Sequence, residues 1–95
     1  MILLDENILS KIDNRRNKLF YKTLDWFVAE NGTSRAEIAK NCRLSYSSLN
    51  KSKKSNGRWI SLGNFFKICD VLDITPFDFL DQMEILNLTN DEERK

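Results

Sequence analysis

The chain has 95 residues, of which 41% are hydrophobic and 31% charged, and its formal net charge is +1. This length is typical of one folded domain, and this composition is typical of globular rather than disordered proteins. With 3 glycines and 1 proline, the sequence favours helices over sandwiches and barrels, which need many tight turns. The longest apolar runs have four residues, too few for a membrane span, and the expected compartment is cytoplasmic.

Several absences count against catalysis. The sequence has no histidine, so a histidine general base and a histidine metal ligand are both excluded. Cys42 and Cys69 are too far apart for a CxxC zinc motif, and the glycines form no phosphate-binding loop. We therefore expect no enzyme activity, no metal and no cofactor, and we expect both cysteines to be reduced core residues.

The small net charge hides an uneven distribution of charge along the chain. Residues 1–34 carry five cations and five anions, residues 35–58 carry seven cations against Glu37 alone, and residues 59–95 carry three cations against eight anions. A basic middle segment attracts polyanions, either nucleic acid or an acidic protein. An ordinary solvated surface with internal ion pairs is the simpler alternative.

Apolar periodicity predicts helices along most of the chain and no strand. Residues 2–12 show an apolar stripe, and residues 14–31 show a stronger one that ends at Gly32, a suitable left-handed C-cap. The periodicity leaves open whether residues 5–31 form one helix or two. The core residues predicted in this region are Leu19, Phe20, Leu24, Phe27 and Val28.

The later helices are predicted from their N-caps. These caps are Ser34 (with Glu37) before residues 35–42, Ser45 before residues 46–53, Ser61 before the apolar residues that begin at Leu62, and Thr75 before Pro76. The apolar residues expected to face inward are Ile38, Ala39, Cys42, Leu49, Leu62, Phe65, Phe66, Ile68, Cys69, Leu72, Phe77, Phe79, Leu80 and Met83. Together these patterns predict five or six short helices.

Two of these helices have the spacing of a helix-turn-helix, because about three residues join 35–42 to 46–53. In that motif the first helix crosses the phosphate backbone, and the second enters the major groove with its N-terminal end. The second helix here has one apolar anchor, Leu49. Its other side chains are mostly small or polar and can pair with base edges, whereas a structural helix normally contains more Ala, Leu and Glu.

From about Leu19 to Leu80 the chain resembles the lambda-repressor-like, XRE-type helix-turn-helix family. The matching stretches are residues 33–39 (TSRAEIA), 44–51 (LSYSSLNK) and 61–75 (SLGNFFKICDVLDIT). The resemblance implies an all-α fold, a compact five-helix bundle, here with a short N-terminal helix or arm. The expected organisation is an arm or helix over residues 1–13, the helix-turn-helix domain over 14–86 and a flexible acidic tail over 87–95.

The resemblance also implies a set of site residues. Tyr46 and Ser47 match the positions that read base edges, and Asn50 and Lys51 lie about one turn further along. Arg35 matches a position where a polar side chain either meets phosphate or braces the recognition helix. The remaining phosphate-contacting candidates are Ser45 and, by their polarity or charge and their position in the loop, Lys53, Lys54, Asn56 and Arg58.

The chain departs from the family pattern at a few positions. Arg43 stands where Gly is common in the turn, and we expect it to adopt a left-handed conformation. Lys53 replaces an acidic residue, one residue is inserted near Trp59, and Ile60 stands where Pro is common. The added cations make the loop over 53–60 more basic, which suits phosphate contact.

Sequence-specific binding of double-stranded DNA by a small transcriptional regulator is the leading interpretation. The alternative is a protein-interaction module on the same fold, such as an antitoxin or a regulatory subunit that binds DNA only with its protein partner. A homodimer is expected, and the apolar stripe of residues 2–12 is ranked ahead of the acidic C-terminal helix as its surface. We expect Trp59 to anchor the basic loop by packing.

Overall fold

The computed structural model describes residues 5–45, Leu49 and residues 59–93. In these residues it contains no strand and four α-helices, which are α1 (Glu6–Glu30), α2 (Arg35–Asn41), α3 (Leu62–Val71) and α4 (Pro76–Glu93). The predicted all-helical class is therefore confirmed for the described part of the chain. The helix predicted over 46–53 lies outside it, except for Leu49, whose backbone is helical. The five-helix arrangement thus stays a prediction.

The first helix, α1, is continuous over 25 residues. Asp5 caps it by accepting a hydrogen bond from the backbone N–H of Ile8 at 2.8 Å. The question left open for residues 5–31 is thereby answered, because one helix passes through Asp13 and Asn14 without a break. The boundary expected after residue 13 falls inside this helix.

Three helices end in the same way, with a residue in the left-handed conformation. Gly32 has φ 62°, Arg43 has φ 58° and Asp73 has φ 57°. After α2, the N–H of Arg43 donates to the carbonyl of Lys40 (3.1 Å), and that of Leu44 donates to the carbonyl of Ala39 (2.8 Å). This pair of bonds is the Schellman motif. The left-handed conformations expected at Gly32 and Arg43 are confirmed.

An aromatic cluster forms the centre of the core. Phe79 of α4 is fully buried, and its ring centroid lies 4.9 Å from that of Phe20, 5.5 Å from that of Phe27 and 5.1 Å from that of Phe65. These rings come from α1, α3 and α4, so the cluster holds three helices together. Each such ring pair adds about 0.5–1.5 kcal/mol beyond the burial of its area. Since α2 packs against α1 and α3, it closes the bundle.

Most of the predicted core residues are buried, but four are not. Leu62, Phe66, Phe77 and Leu80 are 65%, 45%, 77% and 47% exposed. Their helices turn by 100° per residue, so each helix can direct only one stripe inward. In α3 that stripe contains Phe65, Ile68 and Cys69. In α4 it contains Phe79 and Met83, which leaves the four other side chains at the surface.

The last helix extends further than expected. It begins at a reciprocal cap, in which the N–H of Asp78 donates to Thr75 Oγ1 and the N–H of Thr75 donates to Asp78 Oδ2, both at 3.0 Å. It then continues to Glu93, so most of the segment over 87–95, expected to be a flexible tail, is helical. No helix in the described residues combines the length and the apolar character needed to cross a bilayer.

Candidate nucleic-acid interface

The residues on both sides of the predicted turn pack against the same core. Ser34 caps α2 by accepting a hydrogen bond from the N–H of Glu37 at 3.2 Å. Ile38 and Ala39 are buried on the inner face of α2, and Leu49, beyond the turn, is fully buried in the same core cluster. The role of Leu49 as an apolar anchor is confirmed. Of the second predicted helix, this packing concerns Leu49 alone, so the helix-turn-helix stays a prediction.

Only two of the predicted site residues, Arg35 and Ser45, lie in the described part of the chain. Ser45 is exposed. The base-reading candidates Tyr46, Ser47, Asn50 and Lys51 lie outside the described residues, as do the phosphate candidates Lys53, Lys54, Asn56 and Arg58. Their roles stay predictions.

Arg35 connects α1 to the segment that contains Leu49. Its Nε donates to Asp25 Oδ1 at 2.6 Å and its Nη2 donates to Asp25 Oδ2 at 2.9 Å, which is a bidentate pair. Its Nη1 donates to the backbone carbonyl of Leu49 at 3.3 Å. The Arg35 side chain is 12% exposed, against 56% for that of Asp25. This is the geometry of a brace, one of the two roles that the sequence left open for Arg35.

The guanidinium of Arg35 also lies over the aromatic core. Its central carbon is 5.3 Å from the ring centroid of Tyr21, within the range of a cation–π interaction. Tyr21 is buried, and its ring packs edge-on against Phe20 with centroids 5.2 Å apart. Burial raises the pKa of the Tyr21 hydroxyl, although the charge of Arg35 lowers it in part. The guanidinium of Arg35 therefore packs against the aromatic core in addition to its bonds to Asp25 and Leu49.

The far end of the basic segment is also attached to α1. The indole Nε1 of Trp59 donates to Asp13 Oδ1 at 2.6 Å. The Trp59 ring packs edge-on against Phe20, with centroids 6.0 Å apart, and Ile60 is buried. The expected packing role of Trp59 is confirmed. Residues 50–58 thus connect two points, Leu49 and Trp59, that α1 holds in place.

A row of cations along α1 was missed by the sequence analysis, because residues 1–34 sum to zero charge. These cations are Lys11, Arg15, Lys18 and Lys22, and all four are exposed. Their spacing of 4, 3 and 4 residues places them in one line, opposite the face that packs against the core. The same spacing is visible in the sequence and could have identified them. Of the acidic residues on α1, Asp13 bonds to Trp59 and Asp25 to Arg35.

The two thiols lack the properties of nucleophiles. Both are free and buried. Burial, together with the negative charges of Asp70 and Asp78, raises the pKa of Cys69 to about 11. Burial also raises the pKa of Cys42, with Lys67 lowering it and Asp70 raising it. At neutral pH both therefore stay protonated, whereas the reactive form is the thiolate.

The described residues contain no group of side chains that could hold a metal ion.

No protein-family model matches this chain, and no curated protein matches it.

Proposed function

We propose that this protein binds double-stranded DNA sequence-specifically as a small transcriptional regulator, with residues 46–53 as its recognition helix. The observation that carries the proposal is the brace between Asp25, Arg35 and the carbonyl of Leu49. Side chains read base edges only when the element that carries them is held rigidly in place. The brace and the burial of Leu49 attach this residue of the proposed recognition helix to the core.

The distribution of charge supports a polyanionic ligand. Residues 35–58 carry seven cations against Glu37 alone, and α1 adds a line of four exposed cations. On α4, Asp78, Asp81 and Glu84 are exposed. A surface of this kind attracts phosphates to the basic region. Neutralising four to six phosphates per chain gives a slope of about −4 to −5 for log affinity against log salt.

The test is to select binding sites from random duplex DNA with the purified full chain, and then to measure affinity for the selected duplex as salt is raised. We expect an enriched sequence and the slope given above. Ser47→Ala and Asn50→Ala should relax the preference at a few base pairs, each by about 1–3 kcal/mol. A double Lys53→Gln, Lys54→Gln variant should weaken all sequences alike. The absence of any enriched sequence would contradict the proposal.

One observation favours the alternative function of a protein-interaction module, such as an antitoxin or a regulatory subunit. An apolar groove of about 280 Å³ lies beside Trp59 and is lined by Phe20, Trp59, Ile60, Leu62, Phe65, Leu80 and Met83. Exposed apolar grooves are common at protein-binding surfaces. If the chain shifts the selected DNA only after a protein partner is added, the alternative is favoured.

A further inference from the structure

The first three turns of α1 project beyond the core. Every side chain from Asp5 to Arg16 is exposed, and the first buried residue of the helix is Asn17. We refer to residues 5–16 as the arm, which is about 17 Å long at 1.5 Å per residue. In proteins most helical stability comes from the packing of an apolar face, and the apolar side chains of the arm, Ile8, Leu9 and Ile12, are 44%, 49% and 38% exposed. The arm therefore gains most if a second surface covers one of its faces.

One face of the arm has a pattern that is complementary to itself. Asp5, Leu9, Ile12 and Arg16 follow one another at spacings of 4, 3 and 4 residues, so they form one line along the helix. Leu9 is 49% exposed and Ile12 is 38% exposed. Read in the opposite direction, the line runs from a cation through two apolar residues to an anion. A depression of about 450 Å³, lined by Leu9, Ser10, Ile12, Asp13 and Arg16, lies along it.

We propose that two copies of this chain pair through their arms, antiparallel, about a twofold axis between Ser10 and Lys11. This pairing places Asp5 of each copy opposite Arg16 of the other, and Leu9 of each copy opposite Ile12 of the other. A twofold interface requires a surface that is complementary to itself in this way. A parallel pairing would place Asp5 against Asp5 and Arg16 against Arg16, and like charges in contact are destabilising.

The contact that Arg16 makes within its own chain is compatible with this pairing. Arg16 Nη1 lies 3.6 Å from Glu84 Oε1, and the two side chains are 52% and 61% exposed. Exposed pairs of this kind contribute little to stability. Arg16 can therefore bind Asp5 of the second copy at small cost.

The mass of the full chain in the absence of DNA tests the pairing directly. Sedimentation equilibrium should give twice the single-chain mass of 11.2 kDa at tens of micromolar. Leu9→Glu should raise the dimer dissociation constant by roughly tenfold or more, because a carboxylate would be buried against Ile12 of the second copy. Phe77→Glu is the matched control, because Phe77 is 77% exposed on α4, and it should leave the mass unchanged.

Circular dichroism should show that each variant keeps its helical content. A wild-type chain that stays at the single-chain mass up to several hundred micromolar refutes the proposal. A Phe77→Glu variant that dissociates as readily as Leu9→Glu also refutes it. Because no DNA is present, this result is independent of the proposed function: a monomer that binds DNA contradicts only the pairing, and a dimer that binds no DNA contradicts only the function.

Charge reversal tests the antiparallel register. Arg16→Glu should weaken the dimer, because it places two carboxylates together at each end, whereas Lys18→Glu, the same change on the outer face, should not. Mixing Arg16→Glu chains with Asp5→Lys chains should restore dimers, because both end pairs are then of opposite charge. A dimer of Arg16→Glu as tight as the wild type overturns the antiparallel register.

Discussion

Replacing Arg35 with Ala separates a brace from a phosphate contact. The change removes a bidentate pair with a half-exposed carboxylate, a hydrogen bond of 3.3 Å to the Leu49 carbonyl and a cation–π contact with Tyr21. Solvent screening limits the ion pair to about 1 kcal/mol. The cation–π contact adds about 0.5–1 kcal/mol and the long hydrogen bond adds about 0.5 kcal/mol. We therefore expect Arg35→Ala to lower the free energy of unfolding by about 2 kcal/mol.

For a chain of 95 residues, a loss of this size lowers Tm by about 10 °C. Urea unfolding followed by circular dichroism measures the loss, and Lys40→Ala, which removes an exposed cation from the same helix, should stay within about 0.5 kcal/mol of the wild type. A double-mutant cycle with Asp25→Asn should give a coupling of about 1 kcal/mol between Asp25 and Arg35. An Arg35→Ala variant as stable as Lys40→Ala would refute the brace.

Asp25→Asn provides the sharper comparison in DNA binding. If Arg35 contacts a phosphate, removing the negative charge of Asp25 beside it should strengthen DNA binding, because the local potential becomes more positive. If Asp25 instead holds Arg35 in place, its loss should weaken binding to the selected duplex and leave the salt slope unchanged. Tighter binding by Asp25→Asn would contradict the role given to the brace in recognition.

Three further outcomes are expected. Asp73→Gly should stabilise the fold by about 1 kcal/mol in urea unfolding, since φ at Asp73 is 57° and glycine adopts that conformation without strain; a loss of stability would contradict this reasoning. The pKa of Cys69 is raised from 9.0 to about 11 in the folded chain, so its thiol ionises at a lower pH in the unfolded chain than in the folded one. The contribution of this thiol to the free energy of unfolding should therefore be full below pH 9 and lost between pH 9 and 11. Cys69→Ala should show a smaller decline than the wild type over that range, and an equal decline would exclude the thiol as its source. Trp59→Phe removes the 2.6 Å bond to Asp13 and should cost about 1 kcal/mol, whereas Trp26→Phe should cost less.

The local signals in the sequence were reliable because they depend on neighbouring residues. The caps predicted at Ser34 and Ser61 each accept a hydrogen bond from the N–H three residues later. The left-handed residue at Arg43 was also predicted, from the family pattern in which Gly is common at that turn position. The corresponding residue at Asp73 was not, because an Asp at that position carries no signal as strong as Gly. The start of these helices is therefore easier to predict from the local sequence than their end.

The choice of buried face was harder to predict, because it depends on which helices meet. Phe77 and Phe79 are both aromatic and lie in the first two turns of α4, yet Phe79 is fully buried and Phe77 is 77% exposed. The sequence identifies both as apolar, but only the position of α1 and α3 relative to α4 determines which one faces the core. The packing of α3 against its neighbours likewise determines that Leu62, at the start of α3, faces solvent.

The brace could not be derived from the sequence for a related reason. Asp25 and Arg35 are 10 residues apart and on different helices, so no helical spacing rule connects them. They meet because the chain reverses at the left-handed Gly32 and α2 then packs against α1. The sequence did predict a site role for Arg35, but its charge alone is equally consistent with a phosphate contact.

The described contacts make α1 the element on which both proposals depend. The same helix carries the arm at its N-terminal end, bonds to Trp59 through Asp13 and holds Arg35 through Asp25. Asp13 and Asp25 are separated by about 18 Å along its axis. Since a continuous helix transmits position over this distance, a dimer formed through the arms would fix the separation of the two proposed recognition helices. That separation would in turn set the spacing of the half-sites, which in dimeric helix-turn-helix proteins is about one turn of DNA or a multiple of it.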